Sequence, residues 1–98
     1  MMKKIPPTHP GEILKEEFMN PYEISINQLA RLLHVSTMRI SQIVNEKRSI
    51  TIDTALRLSM LFETSPEFWL HLQNKYDLET LKDKSISDIE EIKPFKVA

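Results

Sequence analysis

Thr37, Met38, Arg39, Ser41, Gln42 and Asn45 form a run of short, polar or flexible side chains, with no acid until Glu46. Hydroxyl, carboxamide and guanidinium groups presented together can bond to phosphates and to base edges of duplex nucleic acid without electrostatic repulsion. Directly beyond them, Asn45, Lys47, Arg48 and Ser49 make a loop rich in donors. Other chemistries are poorly served. His9, His34 and His71 are far apart, fit no metal-ligand spacing and have no cysteine to accompany them. They read as a cap, a turn residue and a helix-surface residue. Ser, His and Asp are all present, but without a nucleophile elbow. With one glycine in the chain there is no phosphate-cradling loop. No catalytic residue, metal site or cofactor is expected.

The polar run needs a scaffold, and the stretch Ile26 to Arg48 supplies one. Ile26, Leu29, Ala30 and Leu33 recur at i, i+3, i+4 and i+7, which is one apolar stripe on a helix. After the interruption at His34, Val35 and Ser36, the stripe resumes with Ile40, Ile43 and Val44. Ser25, three residues before Gln28, can start the first helix through a capping box, and Ser36 can cap the second. Ala30 faces the crossing point and lets the helices approach closely. Two capped helices joined by so short a turn make a helix-turn-helix. Short helical hairpins are common, so spacing alone leaves DNA binding open. The polar outer face of the second helix is what favours it.

Ninety-eight residues make one domain with a modest core. Hydrophobic residues at 41% and charged residues at 28% are ordinary for a soluble globular protein. There is no apolar run of membrane-spanning length, and MMKKIPPTHP lacks a signal-peptide core, so no membrane association and a cytoplasmic location are expected. The net charge of −1 conceals an uneven distribution. Residues 24–62 carry five basic groups (Arg31, Arg39, Lys47, Arg48, Arg57) against Glu46 and Asp53, whereas residues 63–98 carry eight acids and five bases. The middle is basic and the tail acidic, a supporting observation for contact with a polyanion.

Taken in order, a proline-rich arm, IPPTHPG, precedes helix 1. Pro10 suits the first turn, Thr8 or His9 the cap, and Glu12 the positive end of the dipole. Helix 1 buries Ile13, Leu14 and Phe18 and stops before Pro21. Tyr22 and Ile24 are expected to pack underneath. Thr51 caps helix 4, ITIDTALRLSMLFE, whose expected apolar set is Ile52, Ala55, Leu56, Ser59, Met60 and Phe62, with Leu58 and Leu61 flanking. Ser65-Pro66-Glu67 starts helix 5, EFWLHLQNKYDLETL. Its apolar residues Phe68, Trp69, Leu70, Leu72, Tyr76, Leu78 and Leu81 cover more than one face. Either a five-helix core absorbs them all, or Phe68, Trp69, Leu72 and Tyr76 form a two-fold dimer interface, the preferred reading. A short helix is possible near Ser87–Ile92, ended by Pro94, with the last few residues disordered. This divides the chain into a helical domain at 1–80 and a partly helical or disordered extension at 81–98.

HPGEILKEEF (His9–Phe18), the helix pair around Leu29-Ala30 and Val35-Ser36, Arg39–Asn45, and ITIDTALRLSMLFETSPEFWLHLQ (Ile50–Gln73) together resemble the HigA-type antitoxins. These form a branch of the lambda-repressor-like (Xre) helix-turn-helix family that is also called VapI, virulence-associated protein I. HPGEIL near the start with TSPEFWL near the end of one short chain is specific to that family. The resemblance implies an all-α, five-helix lambda-repressor-like domain with a short C-terminal extension. It also implies a homodimer that represses its own operon from a palindromic double-stranded operator and neutralises a HigB-like toxin, a RelE-fold nuclease of mRNA. By match to the motif, Thr37, Met38 and Gln42 reach bases, with Gln42 suited to adenine and Met38 or the Thr37 methyl to thymine. Ser36, Ser41, Asn45, Lys47 and Arg48 hold phosphates. Arg39 reaches a guanine or a phosphate, or braces helix 3. For the toxin, helix 1 with Glu12, Glu16 and Glu17 and the acidic tail are the candidate surfaces.

The chain departs from the family at three places: His34 and Glu46 stand where glycine is usual, and Ile26 where many relatives have a phosphate-binding Gln. The position of His34 commonly takes the left-handed conformation. Two alternatives remain open on the sequence: a solitary regulator of the same fold without a toxin, and a helical protein-interaction module that does not bind DNA.

Overall fold

The first five α-helices each start where a side chain accepts one of the first unpaired amides, and in the first and fifth a proline removes another. The computed structural model describes residues 6–84 and 86–96; the first residue of the proline-rich arm, Ile5, and the final two residues lie outside them. Among the described residues there are six helices and no strand. Helix α1 (Pro10–Ile13) is capped by His9, whose Nδ1 accepts the Gly11 amide at 2.9 Å. It runs on as a wider π-helical segment, Leu14–Met19, and a 3₁₀ turn, Asn20–Tyr22. In the wide segment hydrogen bonds span five residues. Leu14 and Met19, five apart, are accordingly both buried.

Helices α2 (Ile26–Leu33) and α3 (Thr37–Val44) form the expected helix-turn-helix. Ser25 and Ser36 cap them, each hydroxyl accepting the amide three residues on at 3.1 Å; such a cap is worth about 1 kcal/mol. The turn closes α2 through His34, which has φ 59° and ψ 43°. The Val35 amide reaches the Ala30 carbonyl and the His34 amide that of Arg31, the bonding of a Schellman motif. Glu23, Glu46 and Glu63 occupy the same left-handed region. A side chain there costs about 1–2 kcal/mol, so the chain carries this strain at four bends.

Helices α4 (Ile52–Phe62) and α5 (Pro66–Asp83) pack together beneath the motif, with a short α6 (Ser87–Glu90) beyond. Thr51 and Ser65 cap α4 and α5, and Pro66 opens α5 as its sequence requires. Helix α5 runs through Asp83, so the division at residue 80/81 falls inside it. No described helix is long and apolar enough to cross a membrane.

The core joins Leu14, Leu29, Ile40, Ile43, Leu58 and Trp69, all fully buried. Three sequence expectations change here. Helix α4 turns Thr54, Ala55 and Leu58 inward and leaves Ile52, Leu56 and Met60 exposed, because eleven residues so rich in apolar types carry no single period. Tyr22 is exposed and only Ile24 packs on the core. The aromatic residues of α5 are largely consumed within the chain. Phe18 stacks on Phe62 and Trp69 at 5.0 and 4.9 Å, and the Trp69 indole donates to Thr64 Oγ1 at 2.8 Å. Trp69 therefore presents nothing to a partner, and as a dimer-interface residue it is corrected to a core residue. Phe68 rests edge-on against Trp69, Tyr76 packs on His9, and Leu72 is half-buried, so these three keep only part of their surface.

The only glycine in the chain has a packing role. Gly11 lies against the Ile43 carbonyl in the last turn of α3, and a Cβ at residue 11 would collide with that oxygen. Gly11→Ala should force α1 and α3 apart and lower unfolding free energy by about 1–3 kcal/mol, the usual cost of overpacking. Denaturant unfolding checks this; an unchanged midpoint would show that the crossing relaxes freely.

Candidate nucleic-acid interface

Burial of Ile40 and Ile43 fixes which side of α3 faces outward. Thr37 and Met38 are exposed at the start of the helix, Met38 by 67%, and Gln42 is half-buried one turn later. Gln42 Oε1 accepts from Arg48 Nη1 at 3.2 Å, so the loop after α3 orients the carboxamide. The carbonyl oxygen has a second lone pair, and the amide group remains a donor. Ser41 and Asn45 are joined by a 3.3 Å bond from Asn45 Nδ2 to Ser41 Oγ. Lys47 and Arg48 are exposed in the loop, and Lys47 has no ion-pair partner among the described residues. The Ser36 hydroxyl accepts the Arg39 amide, which leaves its proton available to a phosphate. Thr37, Met38, Gln42, Ser36, Ser41, Asn45, Lys47 and Arg48 thus lie along one helix and the loop that follows it.

Arg39 does not join that surface. Its Nη1 meets Asp53 Oδ2 at 2.7 Å, and the same oxygen accepts from Arg57 Nε at 2.9 Å. Arg57 also donates to the Leu33 carbonyl at 2.9 Å, closing the end of α2. Of the roles open to Arg39, the structure places it as a brace: a chain of contacts runs from α2 through Arg57 and Asp53 to α3. Exposed ion pairs of this kind add little stability. Their effect is geometric, because they set α2, α3 and α4 relative to one another. Hydrogen bonds from Arg57 and then Arg39 hold the Asp53 carboxyl below its usual range. Asp53 and Arg57 were not among the expected site residues; their acid-to-base spacing of four on α4 was the available signal.

The second acid near the interface, Glu46, acts on His9. Burial pushes the His9 imidazole below its ordinary value, and the charges of Glu46 and then Asp77 partly offset this. The ring is 3% exposed and sits 4.7 Å from the Tyr76 ring, nearly edge-on. Gln73, also buried, accepts the Ile50 amide at 2.7 Å and donates to Asp77 at 2.9 Å, which ties the loop before α4 to α5. His71 is exposed on α5, as expected. No group of three or more His, Cys, Asp or Glu among the described residues is arranged to hold a metal ion.

A helix-turn-helix family model matches residues 15–69. Virulence-associated protein I of Dichelobacter nodosus is 50% identical over 76 residues, covering 78% of this chain and 70% of that protein. The chain belongs to the HigA/VapI family of helix-turn-helix proteins. A solved HigA-family antidote protein from Coxiella burnetii is 50% identical with a TM-score of 0.86, covering 93% of this chain and 100% of that one. The Pseudomonas aeruginosa antitoxin HigA, solved with the higBA promoter, is 44% identical with a TM-score of 0.86, covering 92% and 99%. The HigA likeness extends beyond the matched motif, through α1 and α5, which hold the motif from below.

Because the folded state binds its proton at His9 less readily than the unfolded chain, stability rises with pH in that range. The contribution is complete above the ordinary value of 6.5 and is lost as pH falls below it. His9→Asn keeps a capping acceptor but does not titrate. Its thermal midpoint should fall less than that of the native chain between pH 7 and 5; parallel curves would remove His9 from this role.

Proposed function

We propose that the chain is a DNA-binding transcriptional repressor, acting as a homodimer on a palindromic operator, and the antitoxin to a HigB-like toxin. The observation that carries the reading is the exposed side of α3: Thr37, Met38 and Gln42 in front, with Lys47 and Arg48 beside them. Of the acids nearest it, Asp53 is bonded to Arg39 and Arg57, and Glu46 stands exposed in the loop beside Lys47 and Arg48. The promoter complex of the Pseudomonas aeruginosa relative supports the same use of this fold.

In this reading each copy lays α3 in the major groove, with the two half-sites about 34 Å apart on one face of the duplex. Gln42 pairs with an adenine through its carboxamide, and Met38 and the Thr37 methyl touch a thymine methyl. Ser36, Ser41, Asn45, Lys47 and Arg48 contact phosphates and set the register. Arg39 keeps α3 at its angle through Asp53. Helix α1 with Glu12, Glu16 and Glu17, all exposed, and the acidic tail are the surfaces offered to a basic toxin.

Gln42→Ala should cost about 1–3 kcal/mol of operator binding and relax preference at one base pair, whereas Lys47→Ala should weaken all duplexes alike and reduce the salt slope by about one. Fluorescence anisotropy across a salt series separates these outcomes; operator affinity unchanged in both variants would defeat the assignment. For the antitoxin role, co-expression with the adjacent reading frame should rescue growth and give a co-purifying complex. Repression without rescue would leave a solitary regulator.

A further inference from the structure

One titratable ring sits where α1 is seated on α3. His9 is 3% exposed, and its Nδ1 accepts the Gly11 amide at 2.9 Å. That nitrogen accepts only while it carries no proton, so the neutral ring keeps its hydrogen on Nε2. Two residues on, Gly11 lies against the Ile43 carbonyl. The same carbonyl accepts the Glu46 amide at 3.0 Å, and the Lys47 amide reaches the Gln42 carbonyl at 2.8 Å. These two bonds make the bend that carries α3 into the loop of Lys47 and Arg48. We infer that His9 is a proton-operated latch: a proton on its Nδ1 unseats the first turn of α1 from Ile43 and loosens the end of α3 with its loop. The consequence for DNA rests on the repressor reading above, whereas the loosening itself does not.

The geometry gives the charged ring no way to stay. An imidazolium has donors on both nitrogens, so Nδ1–H and the Gly11 N–H would point at one another. A half-turn of the ring would put a carbon in place of Nδ1 and leave the Gly11 amide unpaired as well. Sideways movement is blocked by the Tyr76 ring of α5, nearly edge-on at 4.7 Å. The ring must leave its site, and Gly11 goes with it. The groups that face it are Glu46 from the loop after α3 and Tyr76 and Asp77 from α5; on α1 itself Glu12 is exposed. Asp77 already accepts from Gln73, which holds the Ile50 amide. Burial outweighs the attraction of Glu46 and Asp77, so the ring takes its proton below the ordinary 6.5 and the latch is shut at neutral pH.

The free chain tests the latch by NMR. With His34→Asn, which suits a left-handed site, and His71→Gln, His9 is the one histidine left. Between pH 7 and 5 the amides of Gly11 and of residues 43–47 should shift together with the His9 ring, at one midpoint below 6.5. His9→Asn keeps a capping acceptor and should abolish that shared midpoint. Glu46→Gln leaves the cap in place and should move the midpoint lower, which keeps the test decisive even where His9→Asn folds poorly. On a duplex from its own promoter, the native chain should lose affinity as pH falls, approaching about ten-fold per pH unit below the midpoint, the limit for one proton. His9→Asn should show no such loss, and circular dichroism of both chains should stay helical. Amides of α3 that ignore the His9 midpoint, an equal acid loss in His9→Asn, a midpoint raised or unmoved by Glu46→Gln, or a helical signal lost in step with the operator would each overturn the latch. A native chain that fails to bind the duplex at pH 7 would instead count against the repressor reading, since the shifts of the free chain do not involve DNA.

Discussion

Helix α3 is held from behind by a backbone contact that only glycine allows. At Gly11 the first turn of α1 rests on the Ile43 carbonyl, and His9, capping that turn, is wedged against Tyr76 of α5. The opposite flank of α3 is tied through Arg39 and Asp53 to α4, and through Arg57 to the end of α2. With Ile40 and Ile43 fully buried between these supports, α3 has little freedom to roll. The base-reading role proposed for α3 needs such fixity, because base contacts depend on placement to within fractions of an ångström.

Stability and charge are arranged around that fixity. Four helix ends turn through left-handed residues that are not glycine, a cost carried without loss of the bends. Side-chain caps at five helix starts and the cluster of Phe18, Phe62 and Trp69 offset it. Glu46, where the family usually has glycine, keeps the bend and contributes its charge to His9. Asp53 lies between two guanidinium groups. Asp53 is thus occupied with structural work, and apart from the exposed Glu46 the residues left open along α3 and its loop are neutral or basic.

Much of this was legible in the chain because the interactions are local. Ser25, Ser36, Thr51 and Ser65 bond to amides three residues away, and proline at Pro10 and Pro66 marks helix starts by what it lacks. The core face of α2 and α3 followed from a clear period. What stayed hidden depends on distant partners. Arg39 and Asp53 are fourteen residues apart, and Gln73 reaches Ile50 across twenty-three. Helix α4 carries apolar residues on two sides, with Asp53 and Arg57 between them, so which side turns inward was set by α2 and α5. Trp69 looked available to a partner because nothing in its own helix shows that Phe18 covers it. Gly11 revealed its purpose only once α3 lay across it.

The most direct measurement is amide chemical-shift mapping of the native chain as a duplex from its own promoter is titrated in. The largest changes should fall between Ser36 and Asn45 and at Lys47 and Arg48, with α6 unmoved. A titration that perturbs α1, α5 or α6 while α3 stays silent would contradict the assignment of α3 as the helix that enters DNA.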